Sequence, residues 1–131
     1  MPSYFERARI LFDQSRFDLA TEELRQELTH DPEHAGAHAL MALCQAMNKQ
    51  YDEALTSAQT AVGLTPDMAH VHYVLAWVYN QTDEIDEAEH AIREAIQLNP
   101  EEPDYYGTLS SILMRRKLWE EALAAAEEGL G

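Results

Sequence analysis

Six histidines, His30, His34, His38, His70, His72 and His90, are the side chains of this 131-residue chain best suited to bind a metal or move a proton near neutral pH. His34 and His38 stand four apart, a spacing that puts two imidazoles on one face if the segment is helical. His34, however, falls in an expected loop, and His38 recurs with His72 at a core position, so no metal ligand set is expected. The carboxylate pairs Glu22–Glu23, Glu120–Glu121 and Glu127–Glu128 could in principle divide acid and base roles; a solvated helix face is the favoured reading. Cys44, the single cysteine, has no internal disulfide partner and shares a column with the aliphatic Ile10, Val78 and Ile112, which marks it as a small core residue. There is no glycine-rich phosphate loop and no paired nucleophile and base. The sequence therefore predicts no catalytic residue, no cofactor and no metal.

Charge narrows the partners. Nine Lys and Arg against 24 Asp and Glu give a formal net charge of −15, which repels phosphate backbones and anionic lipid surfaces. The basic run Arg115-Arg116-Lys117 is too short to reverse that balance, so nucleic acid is not an expected partner. The acidic surface is read first as a device for solubility, and second as complementary to a basic ligand. The start, MPSYFERARILF, carries three charges and no secretory signal pattern. The longest nearly unbroken apolar run, Val71 to Tyr79, is too short to cross a bilayer, which takes about 20 residues. A reducing cytoplasm suits the lone cysteine.

The elements that position these residues follow from internal repetition. Pro32, Pro66 and Pro100 are 34 residues apart, as are Phe17, Tyr51, Ile85 and Trp119. Two further ladders share the period: Ala20, Ala54, Ala88 and Ala122, and the small residues Ala8, Ala42, Ala76 and Ser110. Acids follow the aromatic ladder at Asp18, Asp52, Asp86 and Glu120, where a carboxylate can satisfy free N–H groups at a helix start. In the third unit Ile85, Ala88, Ile92, Ala95 and Ile96 step by three and four onto one face, and Asn99-Pro100 stops the helix. Each unit thus reads helix, turn, helix. First helices are expected near 2–14, 35–48, 69–82 and 103–116, with second helices near 18–30, 52–64, 86–98 and 120–130.

Period, proline, central alanine and small residue resemble the tetratricopeptide repeat family, over essentially the whole chain. The family pattern maps onto the third unit as His72, Leu75, Ala76, Tyr79, Ala88, Ile92, Ala95 and Pro100. Its leading tryptophan is replaced throughout by another ring, Tyr4, His38, His72 and Tyr106, which suggests that packing volume is what is kept. In the first unit Arg7 stands where leucine is usual and Glu27 where alanine is usual, as expected of a wetter N-terminal cap. The resemblance implies an all-α array of tandem antiparallel helix-turn-helix repeats, 1–34, 35–68, 69–102 and 103–131, wound as a right-handed superhelical solenoid. The fourth unit stops at Gly129-Leu130-Gly131 without a polar capping helix, so the chain is expected to be a piece of a longer array. Its end, with Ile112, Leu123, Ala126 and Leu130, is expected to self-associate weakly.

The resemblance also implies a binding face, because first helices line the concave side in this family. Partner-binding candidates are Phe5, Arg9 and Phe12 in the first unit, then Leu40, Leu43 and Met47. His70, Tyr73, Trp77 and Asn80 follow in the third unit, and Ser111, Met114 and Arg115 in the fourth. The middle of this set is apolar, and aromatic anchors of the Trp77 kind often carry binding energy. The competing reading is that Trp77 and Leu43 merely fill space between neighbouring first helices. Some family members clamp acidic chaperone tails with lysine, asparagine and arginine. At those positions this chain has Phe5, Arg9, Leu40, His70 and Val74, so the clamp is absent.

The expected function is a non-enzymatic adaptor that takes an extended segment or a helix of another protein in its groove. The alternatives are a structural or oligomerisation spacer, or the targeting arm of a larger protein whose catalytic part lies elsewhere.

Overall fold

In the computed structural model the backbone is described for residues 1–130 and the side chains for residues 1–128. Seven helices follow in order: α1 Tyr4–Asp13, α2 Phe17–His30, α3 Ala35–Met47, α4 Tyr51–Leu64, α5 Ala69–Gln81, α6 Ile85–Leu98 and α7 Pro103–Leu130. No strand occurs among the described residues. The first six helices end within two residues of the expected positions, and the second helix of each pair begins on the aromatic ladder itself, at Phe17, Tyr51 and Ile85. Consecutive helices pack as adjacent antiparallel pairs.

Each of the three hairpins turns in the same way. Ser15, Lys49 and Asp83 take positive φ of 60°, 63° and 62°. The next amide in each case reaches back five residues, from Arg16 to the Leu11 carbonyl, Gln50 to Gln45 and Glu84 to Tyr79. In the first two hairpins the left-handed residue's own amide also reaches back, from Ser15 to Phe12 and from Lys49 to Ala46, which makes the left-handed helix stop that satisfies two last-turn carbonyls, here without glycine. The acids after the aromatic ladder act differently from expectation. Asp18, Asp52 and Asp86 lie in the first turn of their helices, where the dipole favours them, yet the helix starts at Arg16, Gln50 and Glu84 carry no side-chain cap. Ser3 does cap α1, accepting from the Glu6 amide at 3.1 Å.

The alanine ladders explain how close the pairs lie. Ala8, Ala42 and Ala76 on first helices and Ala20, Ala54 and Ala88 on second helices are all fully buried, so backbones approach without intervening side chains. Leu24 and Ile92 seal the second helices from the inside, each contributing roughly 1.5–3 kcal/mol of apolar burial. In the first unit Arg7, the departure from leucine, lies across the Tyr4 ring and pairs with Glu23 at 3.1 Å.

The fourth hairpin is a correction. Expected helices at 103–116 and 120–130 are one continuous helix, α7, and the turn residue Lys117 is helical within it. Two physical causes act together. Residues 116–128, RKLWEEALAAAEE, are nearly all strong helix formers, with no turn residue before the glycine at 129. In helical geometry Arg115 reaches Asn80 at the end of α5 and Asp83 in the turn after it, while Arg116 reaches Asp86 and, at 3.0 Å, Glu89 on α6. A turn costs a positive-φ residue and several helical hydrogen bonds, and hairpins one to three offset it by burying the second helix under the next unit. No later helix among the described residues does this for α7. Of the expected apolar end, Ile112 is fully buried and Leu123 is 61% exposed, while the Leu130 side chain lies outside the described residues.

Candidate protein-binding groove

The odd-numbered helices α1, α3, α5 and α7, which carry the expected site residues, stand side by side. The structure sorts these residues into two hollows. A cavity of about 350 Å³ is lined by Phe5, Arg9, Phe12 and Asp13 of α1, Gly36, Leu40 and Leu43 of α3, and His70 of α5. A second, of about 380 Å³, lies between α5 and α7 and includes Tyr73, Trp77, Asn80, Asp104, Gly107 and Ser111. Met47, Met114 and Arg115 line neither. The two methionines stay exposed, Met47 at the end of α3 at 47% and Met114 near the middle of α7 at 65%.

The first hollow is the more apolar. Phe5 sets its edge against the His34 ring at 4.5 Å, and Phe12 meets Phe17 at 5.4 Å, so both aromatics are held by a neighbour and half-buried rather than free to swing. Leu40 is buried and forms the floor; Leu43 is half-buried. Arg9 is the exposed cation on the rim. Crowding by protein around its ring, then the charge of Arg9, hold His70 below the ordinary imidazole range even though one side of it reaches solvent.

In the second hollow Trp77 is half-buried, neither covered by its neighbours nor free of them. Tyr73 is stacked on Tyr105 of α7 at 5.1 Å. Burial, and next the Asp104 carboxylate, push the Tyr73 hydroxyl above its ordinary value, with a hydrogen bond to Thr108 opposing. Gly107 leaves the space beside these rings open, because a Cβ there would meet nothing within 4 Å. Asn80 is buried, and its side-chain oxygen accepts from Arg115 at 2.7 Å. These two partner-binding candidates thus satisfy each other.

Sequence reasoning missed the role of the ring ladder. His38 Nε2 lies 2.9 Å from the Pro32 carbonyl, His72 Nε2 2.7 Å from that of Pro66, and the Tyr106 hydroxyl donates to that of Pro100 at 2.7 Å. These three leading rings therefore each carry a donor that ties its helix to the preceding inter-unit turn. The tryptophan they replace also carries an N–H donor. A constant six-residue offset from the proline ladder was the available signal.

Elsewhere, Glu27, Asp31 and His34 bring one ligand atom each within 4.8 Å of one another, the only such cluster among the described residues. His34 Nδ1 and Glu27 already satisfy each other at 3.0 Å, while His38 turns away to Pro32. Burial pushes the Cys44 thiol up to about 12, so it stays protonated and inert. A larger cavity, about 610 Å³, lies between α4 and α6 on the opposite side, over Val62, Leu75 and Ala91. Its rim holds Asp86, Glu87, His90 and Glu94, of which Asp86 is paired with Arg116.

Comparison with known proteins decides the family. Models of the tetratricopeptide repeat match residues 5–69 and, over just more than half of the chain, residues 46–112. The chain belongs to the tetratricopeptide repeat family. No curated protein sequence matches it. Among solved structures, this tetratricopeptide array resembles the first such domain of Spaghetti (RPAP3) bound to an HSP90 peptide, with 17% identity and a TM-score of 0.80 over 87% of this chain and 90% of that one. It also resembles the first domain of human RPAP3, with 18% identity and a TM-score of 0.80 over 95% of this chain and 93% of that one. MamA from Desulfovibrio magneticus is 22% identical, with a TM-score of 0.76 over 95% of this chain and 71% of that one. At such identities the likeness is one of fold. No helix among the described residues is long and apolar enough to cross a membrane.

Proposed function

We propose that this tetratricopeptide array is a non-enzymatic adaptor that binds a segment of another protein along the odd-helix face. One observation carries the reading: Phe5, Phe12, Leu43, Tyr73 and Trp77 all stand half-buried on that face beside two open hollows, with apolar surface that folding has left unused. Half-buried aromatics on a rigid helical frame suit a partner's apolar side chains, because little ordering remains to be done on this side of the interface.

The partner differs from that of the RPAP3 domain. That domain is bound to an HSP90 peptide ending in acids, SRMEEVD. At the positions that would hold such a tail this chain has Phe5, Leu40 and Val74, with Arg9 as the fixed cation and His70 held toward its neutral form. An apolar segment without a run of acids fits better. A reducing cytoplasm remains the compartment that suits a buried, protonated Cys44. Self-association through α7 belongs to the same picture of partners, since Leu118, Trp119 and Leu123 are each at least 60% exposed there.

The test is selection from a random peptide library on the intact chain, with Trp77→Ala and Leu43→Ala as counter-selection. Enrichment of apolar peptides on the parent but not on the variants supports the groove. Peptides that bind the variants equally well place the interaction elsewhere.

A further inference from the structure

Three columns of the repeat are sealed in every hairpin and open in α7. Ala8, Ala42 and Ala76 are fully buried, as are Ala20, Ala54 and Ala88, and Leu24, Ala58 and Ile92. Their fourth members, Ser110, Ala122 and Ala126, are all exposed. In the hairpins these positions are two halves of one contact, first helix against its own second helix. In α7 both halves lie on one straight rod of 28 residues. Twelve positions separate Ser110 from Ala122, about 18 Å at helical rise, so they cannot meet within one chain.

We infer that a second copy of this chain supplies the missing half. Two α7 helices lie antiparallel about a two-fold axis near Lys117, the Trp119–Ala126 half of each covering the Ser110 and Leu113 face of the other. The occupant is set by the chain's own precedent. Three times it shows that a first helix with this small-residue column accepts an antiparallel helix carrying the aromatic and alanine ladders, and 119–128 is the one such segment among the described residues left undocked. A two-fold axis satisfies both open halves in each copy at once, which is the condition for a closed, self-complementary dimer. Arg115 and Arg116, pinned to Asn80, Asp83, Asp86 and Glu89, hold the first half of α7 to the body and aim the second half outward. Two lysines meet at the axis, with Glu120 and Glu121 of both copies about one turn away to offset them. The self-association expected from stacked ends thus takes the form of reciprocal exchange.

Sedimentation equilibrium of the full chain, with Trp119 fluorescence followed across the same concentrations, tests this. A dimer is expected, with the Trp119 emission shifting to the blue as it forms. Leu123→Glu alters an exposed side chain outside the folded body, so it should weaken dimerisation at least tenfold with helicity retained. Zero-length carbodiimide coupling should give a covalent dimer joined from Lys117 to Glu120 or Glu121 of the other copy, lost in Lys117→Arg, which keeps the charge. A monomer with Trp119 covered means that α7 folds back on itself, and a monomer with Trp119 exposed means that both halves stay open; either overturns the proposal. A dimer that Leu123→Glu leaves intact and that does not link through Lys117 overturns it as well.

Discussion

The Arg115 guanidinium donates to the Asn80 side-chain oxygen at 2.7 Å, joining the middle of α7 to the last turn of α5 across 35 positions of sequence. Both groups are at least half-buried, and Asp83 pairs with the same guanidinium. Arg115→Ala should therefore lower stability, by roughly 1–2 kcal/mol, since it strands a buried amide oxygen. Urea denaturation of both single variants and the double variant should give a coupling energy of about 1 kcal/mol. Zero coupling, with partner affinity falling instead, would return Arg115 to the groove.

Trp77→Ala should weaken binding of a selected peptide at least about tenfold, or about 1.4 kcal/mol, with the chain still helical. Burial of a large apolar side chain contributes roughly 1.5–3 kcal/mol, against about 0–1 for an exposed ion pair. Arg9→Ala should accordingly cost less than Trp77→Ala, and added salt should matter little. Calorimetric titration distinguishes these outcomes.

The turn at Lys49 holds φ at 63° without the glycine that such a position favours. Lys49→Gly is expected to raise stability by about 0.5–1 kcal/mol, read as a higher urea midpoint at unchanged slope. A fall would mean that the lysine side chain contributes more than the strain it carries.

His72→Phe keeps the ring and removes the donor to the Pro66 carbonyl, 2.7 Å away. A loss of about 1 kcal/mol is expected. No loss would reduce the ring ladder to packing volume, as the sequence alone suggests.

His70 has a folded-state pKa below its unfolded value, first from burial and then from Arg9. Between those two values the unfolded chain binds the extra proton, so stability is unaffected above about pH 6.5 and falls as the pH drops beneath it. Arg9→Ala should move the His70 titration, followed by NMR of the imidazole, up toward the ordinary value. An unmoved titration would show that Arg9 points away from the ring.

The hairpin unit was legible in the sequence because everything that makes it is local and periodic. A 34-residue spacing of alanine, aromatic and proline tells which faces are buried and where helices stop, and it identified α1 to α6 and the family. The resemblance to the family, once that spacing had pointed to it, implied that Phe5, Phe12, Leu43, Tyr73 and Trp77 share one face. Periodicity cannot tell whether the partner of a buried face is present. Lys117 occupies the column of Ser15, Lys49 and Asp83, yet α7 runs straight through it. That outcome is a competition between helical hydrogen bonds, ion pairs from Arg115 and Arg116, and burial supplied by a further helix. The first term is local, but the contacts of Arg115 and Arg116 join residues 27 to 35 positions apart and the burial depends on a further helix, so only the tertiary structure decides it. The pairing of Asn80 with Arg115, the division of the groove into two hollows and the reach of His38, His72 and Tyr106 to prolyl carbonyls were settled the same way. Each depends on the distance between side chains from different turns or helices, which repeat spacing leaves open and packing fixes.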